Sequence, residues 1–263
     1  MSAILPAFTE GIEFPIIERG LALSFQKTKK VRQFFPLWKH VSKEYLNFKR
    51  QLKVQIFKMI KNENHTIPKD FTSYLMETVG LPETEAEQLS LPLTRMHYER
   101  GSILLKRGDI CKHSFFVEKG LLRSYMLDES GKEHVIQFAP ENWFIVDRSS
   151  VYFNDPSESY IEAIEDTEVV FIGEDFMCHA AEVSQIFGRY NDKLLHNHIR
   201  QMQKRINLLL GATAEKRYLS FIEMYPDLLL RVPQWMIASY FGITPESLSR
   251  VRKELAHKNF KPS

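Results

Sequence analysis

Three cations, Arg250, Arg252 and Lys253, are interleaved with Ser247 and Ser249 directly after Gly242-Ile243-Thr244-Pro245-Glu246. Guanidinium and ammonium groups at this spacing suit phosphate oxygens and guanine edges, a binding chemistry in which no bond is made. Other reactive side chains are present but not assembled. Nine histidines include no H-E-x-x-H pair, and His196 and His198 are two apart, so they do not share a helix face. His113 or His134 as a haem ligand is set against the plainer reading of a strand or surface histidine. Cys111 beside Lys112, as a redox thiol, is set against an ordinary thiol. No glycine-rich phosphate loop or nucleophile elbow is found, so the reading is not an enzyme: no catalytic residue, no metal and no cofactor.

The cations need a helix to present them, and Val232–Leu255 supplies one. Pro233 opens a short helix, Ala238 is small where a second helix must cross, Gly242 makes the turn and Ile243 plugs the corner. Thr244 caps the second helix and Pro245 takes its first position. Leu248, Val251 and Leu255 then form a buried stripe, with Glu246, Ser249, Arg250 and Lys253 opposite. This is a helix-turn-helix whose second helix offers an early polar face to a major groove. An ordinary pair of crossing helices, with Glu246 and Arg250 as a surface ion pair, is the plain alternative.

Charge is divided along the chain. Residues 1–58 carry 11 Lys+Arg against 4 Asp+Glu, residues 59–199 carry 13 against 24, and residues 200–263 carry 11 against 5. The nets of +7, −11 and +6 place a basic end beside an acidic module. From Thr94 to about Gly173, short apolar runs alternate with turn signals, the pattern of a β-sandwich or jelly roll. The runs are Ser102–Lys106, Ser114–Glu118, Leu121–Leu127, His134–Phe138, Tyr160–Glu165 and Glu168–Ile172, and Asp128–Lys132 is a hairpin loop. Two short helices precede them over 68–90, the second opened by Pro82 at its first turn. After Gly173, Leu195, Ile199, Met202, Ile206 and Leu209 recur at a/d spacing on one helix from near Ser184 to near Gly211. That stripe predicts a parallel homodimer seam. Thr213 caps a further helix, continued by Leu219, Ile222 and Tyr225 until Pro226.

The order of jelly roll, long apolar helix and terminal helix-turn-helix resembles the Crp/Fnr superfamily of transcription regulators. Ile237–Arg250, Phe138-Ala139-Pro140-Glu141-Asn142-Trp143 and Arg217-Tyr218-Leu219-Ser220-Phe221 are similar to the Bacteroidetes-type version. The resemblance spans roughly 68–257. It implies a homodimer held by the long helix, an effector-type β-domain, and DNA read by the second helix, with Pro245, Glu246, Ser249 and Arg250 facing bases. Arg252 and Lys253 are then phosphate contacts. The implied fold is α+β: a cyclic-nucleotide-binding-like domain at 68–183, a dimerisation helix at 184–211 and a DNA-binding domain at 212–263. Partners would be a pseudo-palindromic double-stranded operator and a second copy, with RNA polymerase and a small-molecule effector as candidates. About eight residues follow Leu255, too few for the wing that many relatives carry.

In relatives that take cyclic AMP, a Gly-Glu pair precedes an Arg-Ser pair by about ten residues. The corresponding positions here are Val146-Asp147 and Ser157-Glu158. Ser157 brings no charge and Glu158 brings the wrong one, so the expected effector is not cyclic AMP, with Arg148 or Arg123 as substitute cations. The alternative function is a cyclic-nucleotide-binding-like sensor that works through protein contacts without DNA.

Residues 1–67 read as an extension. A helix is expected from about Lys43 to Asn62. The Phe, Ile and Lys bias of 1–58 resembles translated non-coding DNA, so Met59 is read as the initiator, with a basic DNA-contacting arm as the alternative. With no run of eighteen apolar residues, no signal-peptide pattern and two cysteines, the expected setting is a reducing cytoplasm with no membrane.

Overall fold

The computed structural model describes residues 68–259, and the readings made for residues 1–67 lie outside them. The first element is a short helix, α1 (Phe71–Tyr74), capped by Asp70 and prolonged by a π-turn over Leu75–Val79. Gly80 ends it at φ 87°. The next helix, α2, is Glu83–Ser90. Pro82 stands as its cap at φ −57° and ψ 147°, one position before the first turn expected for it. The rigid ring fixes φ, and the extended ψ turns the chain into the helix from outside.

Eight strands follow: β1 (Arg95–Tyr98), β2 (Ile103–Leu105), β3 (His113–Lys119), β4 (Leu122–Leu127), β5 (Glu133–Ala139), β6 (Phe144–Ile145), β7 (Tyr160–Ala163) and β8 (Thr167–Gly173). A short helix, α3 (Arg148–Phe153), interrupts them between β6 and β7. They form two antiparallel four-stranded sheets, ordered β1-β8-β3-β6 and β2-β7-β4-β5. The jelly-roll reading stands, with β1 and β6 added to the runs found by alternation. The β4–β5 loop closes with Asp128 accepting from Ser130 and Lys132, and Gly131 sits at φ 79° as its turn requires.

The pleat divides the apolar residues between three layers. On β3, Phe115 and Val117 face the sandwich interior with Leu122, Ala139, Ile145, Ile161 and Val169. Phe116, between them in sequence, faces the other way, into a cluster with Phe71, Tyr74, Leu75, Val170 and Phe187. The outer face of the second sheet (Tyr125, Val135 and Phe138) joins the helical C-terminal core.

That C-terminal part begins with α4 (Glu174–Val183) and the 27-residue α5 (Gln185–Gly211). Ser184 caps α5 by accepting from Phe187 N–H, at the start expected for the long helix. Then come α6 (Ala214–Met224), capped by Thr213, α7 (Leu228–Arg231), α8 (Gln234–Phe241) and α9 (Pro245–Asn259). On α6 the buried face is Tyr218, Phe221 and the following Tyr225, whereas Leu219 is 49% exposed. Both sets have helical spacing. Aromatic packing chooses between them: Phe221 meets Phe138, Tyr225, Tyr240 and Phe241 at centroid distances of 6.0, 5.1, 5.4 and 5.3 Å.

Candidate nucleic-acid interface

The α8–turn–α9 unit is built as its sequence demands. Gly242 is left-handed at φ 67°, and the N–H groups of Gly242 and Ile243 close onto Ser239 and Ala238 carbonyls at 3.0 and 3.1 Å. Ala238 is fully buried, so α9 can approach closely. Ile243 is half-buried against the core at the corner. Thr244 Oγ1 accepts from Ser247 N–H at 3.3 Å, and Pro245 is the first helical residue. Leu248, Val251 and Leu255 are buried, as their stripe predicts.

The expected reading face is open to solvent. Pro245, Glu246, Ser249, Arg250 and Lys253 are exposed, together with the cap Thr244. Arg252 differs, being half-buried. The Glu246 carboxyl is held below the usual range by its own backbone N–H and by the Thr244 hydroxyl, so it remains ionised at the helix start. The result is an acidic first turn followed by two exposed cations. Carboxylates can accept from the amino groups of adenine and cytosine, and guanidinium groups can donate to the acceptors of guanine.

The α5 stripe is also exposed: Leu195, Ile199, Met202, Ile206 and Leu209 are 37–51% accessible. Among the described residues, none covers this apolar ridge fully.

The β-domain residues singled out from sequence fall into two places. Asp147 caps α3 by accepting from Ser150 N–H at 3.1 Å, and Ser157 donates its hydroxyl to the other Asp147 oxygen at 2.6 Å. Val146 and Arg148 flank them half-buried, and Glu158 is exposed. Arg148 stacks over Tyr152 at 6.0 Å, and its Nε is buried with no hydrogen-bond partner among the described residues. His198 of α5 is held below its ordinary 6.5 by burial and then by the Arg148 charge. Arg123 does not belong to this group. It is buried on the outer face of the second sheet, bound to Glu162 and to Glu133 (2.6 Å), with its guanidinium 4.1 Å from the Tyr125 ring and 5.3 Å from Trp235. A cation already shared by two carboxylates is not a substitute anion binder, which corrects that expectation.

Cys111 is buried, its thiol donates to the His113 carbonyl, and burial pushes its pKa up, against a reactive thiolate. His134 pairs with Asp128 at 2.8 Å in the exposed hairpin. No group of three or more metal-ligating side chains exists among the described residues.

One set of contacts was not foreseen: the helical part grips the free edge of β5. Ser239 of α8 donates to Glu133 O at 2.7 Å and accepts from Val135 N–H at 3.0 Å. Arg205 of α5 donates to Val135 O and Tyr240 O and lies 3.7 Å from the Tyr240 ring centroid. Arg231 binds Glu141, Glu165 and Asp227 and donates to Gly120 O. Tyr225 donates to Phe138 O at 3.3 Å. An edge strand that would otherwise expose its ladder is thus capped by the first helix of the helix-turn-helix.

Comparison with known proteins agrees with this layout. Residues 95–180 match the cyclic nucleotide-binding domain. The chain is 25% identical over 183 residues to the anaerobic regulatory protein of Haemophilus influenzae, covering 65% of this chain and 70% of that one. It is 24% identical over 183 residues to the fumarate and nitrate reduction regulatory protein of Vibrio cholerae, covering 65% and 72%. The solved structure of FixK2 from Bradyrhizobium japonicum shares the fold at a TM-score of 0.53 and 22% identity, covering 65% of this chain and 89% of that one.

Proposed function

We propose that the chain is a Crp/Fnr-type regulator, a homodimeric, sequence-specific DNA-binding transcription regulator, a reading supported by the domain match over residues 95–180 and by the likeness to the two regulatory proteins above. The observation that carries this is the exposed polar face of α9, set on a capped helix-turn-helix whose opposite stripe is fully packed. Arg250 reads a base edge, Glu246 and Ser249 contribute to the same readout, and Lys253 meets phosphate. Arg252 is a weaker phosphate candidate because it is half-buried.

The apolar ridge of α5 supports the dimer. Five large apolar side chains at a/d spacing, each more than one-third exposed, would gain burial from a second copy. A parallel pair sets two recognition helices about one DNA turn apart, roughly 34 Å, and so calls for a pseudo-palindromic operator.

The effector reading remains one other than cyclic AMP. Arg123 is committed to Glu133 and Glu162, Ser157 is uncharged and engaged with Asp147, and Glu158 adds a negative charge. Arg148 is the candidate cation left by this argument, and its link to His198 ties that end of the β-domain to α5. Calorimetry with cyclic AMP and cyclic GMP tests this, and micromolar binding of either overturns it.

The function is tested by fluorescence anisotropy on a selected operator and on random DNA. Arg250→Ala is expected to cost about 1–3 kcal/mol on the operator and much less on random duplex. Lys253→Ala is expected to weaken both alike and to flatten the salt dependence. Equal losses for Arg250→Ala on both duplexes would refute base reading.

A further inference from the structure

The short helix α3 ends in two aromatic side chains that the described residues leave in water: Tyr152 is 45% exposed and Phe153 is 77% exposed. Their support is fixed. Asp147 caps the start of the helix, and Asn154 ends it in the left-handed region at φ 58°. Ser149 Oγ donates to Asp155 Oδ2 at 2.6 Å. Beyond it, Ser157 N–H donates to Asp109 O at 2.9 Å and Gly108 N–H to Ser157 O at 2.8 Å. Single exposed apolar side chains are ordinary, but two large aromatics held side by side on a tied-down helix form a patch that gains from being covered.

The patch lies beside the exposed ridge of α5. The Tyr152 ring is 6.0 Å from the Arg148 guanidinium, and that guanidinium is near enough to α5 for its charge to act on His198. Counted in heptads, Leu195, Ile199, Met202 and Ile206 take the d, a, d and a positions, His198 takes g, and His196 and Gln203 take e. In a parallel pair the g side of one helix meets the e side of the other. A helix lying at His198 therefore reaches across to the second copy's e side, and His196 and Gln203 are exposed there in the single chain. Two-stranded coiled coils commonly fill e and g with Glu and Lys. Here the flanks beside Leu195–Met202 hold two histidines and a glutamine, while Lys193, Arg200 and Lys204 fall on b, b and f, away from the seam. Such a rim suits an apolar cover better than an ionic one. The area agrees. A stable interface takes about 800 Å² from each partner, of which about 450 Å² is apolar. The ridge side chains, 37–51% exposed, offer roughly 200 Å². Tyr152 and Phe153 at their exposures add roughly 250 Å².

We propose that the end of α3 is a second arm of the dimer interface, with Tyr152 and Phe153 of each copy packed on the e side of the other copy's α5, around His196 and Gln203. This rests on the dimer reading and adds to it: the seam of two long helices is flanked on both sides by a β-domain helix from the opposite copy. Each β-domain then touches both long helices, its own through Arg148 and His198 and the other through the aromatic pair.

The test uses the full chain in two measurements. Sedimentation equilibrium gives the dimer dissociation constant for the wild type, Phe153→Ser and Phe153→Leu. Phe153→Ser is expected to weaken the dimer about a hundredfold, about tenfold for each of the two copies, with the circular dichroism unchanged because the side chain is exposed in the single chain. Phe153→Leu is expected to keep most of the affinity. In the second measurement a photoreactive benzoylphenylalanine replaces Phe153, and the expected product is a covalent dimer whose link maps to the α5 peptide holding His196 and Gln203. A dimer constant unchanged by Phe153→Ser, or a link confined to the same chain, overturns the proposal and leaves the dimer reading standing. A wild-type chain that is monomeric at micromolar concentration overturns the dimer reading itself, and the second arm with it.

Discussion

Replacing Arg231 by methionine removes the most heavily bonded cation joining the helix-turn-helix segment to the β-domain. The guanidinium is 20% exposed and reaches Glu141 Oε2 at 2.8 Å, Glu165 Oε2 at 2.8 Å and Asp227 Oδ2 at 2.7 Å. It also donates to Gly120 O at 2.9 Å. Burial disfavours its charge, but the Glu165, Glu141 and Asp227 carboxylates outweigh this and raise its pKa. Breaking a fully buried pair costs about 3–5 kcal/mol, and breaking an exposed one costs about 0–1 kcal/mol. The partners here are 31%, 34% and 42% exposed, so the cost falls between those limits. Asp227 is i,i+4 on the same segment and adds little to docking. The expected destabilisation is about 2 kcal/mol, read by urea unfolding at fixed protein concentration. Glu141→Gln should cost about 1 kcal/mol in the wild-type background and almost nothing after Arg231→Met, since the two share one contact. A cost below about 0.5 kcal/mol for Arg231→Met, or additive effects in the pair, would refute the idea that this clamp bears on docking.

Ile206→Glu, at a seam position 51% exposed in the single chain, should halve the solution mass by light scattering while leaving the monomer's circular dichroism intact. Thr244→Ala removes the α9 cap and should lower stability by about 1 kcal/mol, read by urea unfolding, and should also weaken operator binding in anisotropy. His198 has a folded pKa depressed below 6.5, so the unfolded chain binds more protons between the two values. Its contribution to stability is therefore full above 6.5 and lost as pH falls through the depressed value. Thermal midpoints at pH 7.5 and 5.5 should show this drop, and His198→Asn should flatten it.

What could be read from sequence was whatever local spacing determines. The α9 caps, the Gly242 turn, the Leu248–Val251–Leu255 stripe and the α5 ridge are each set by neighbours within four residues, and each stands as expected. The strand runs were legible because alternation and turns are local too. Leu219 shows the limit: Leu219, Ile222 and Tyr225 share helical spacing with Tyr218, Phe221 and Tyr225, and only the aromatic cluster of the far sheet decides between them. Arg123 shows another. Its partners, Glu133 and Glu162, are 10 and 39 positions away, on strands brought together by sheet order. Ser239 and Arg205 on the β5 edge carried no signal, because an unpaired strand edge exists only once the sheet is assembled.

The central claim, a dimer that reads DNA through α9, is tested most directly by selecting operators from a random duplex library with the full chain. The account predicts enrichment of a two-fold symmetric sequence with half-sites about one helical turn apart, and Arg250→Ala should relax the same position in each half. Enrichment of an asymmetric single site, or recovery of the starting library without enrichment, would contradict it.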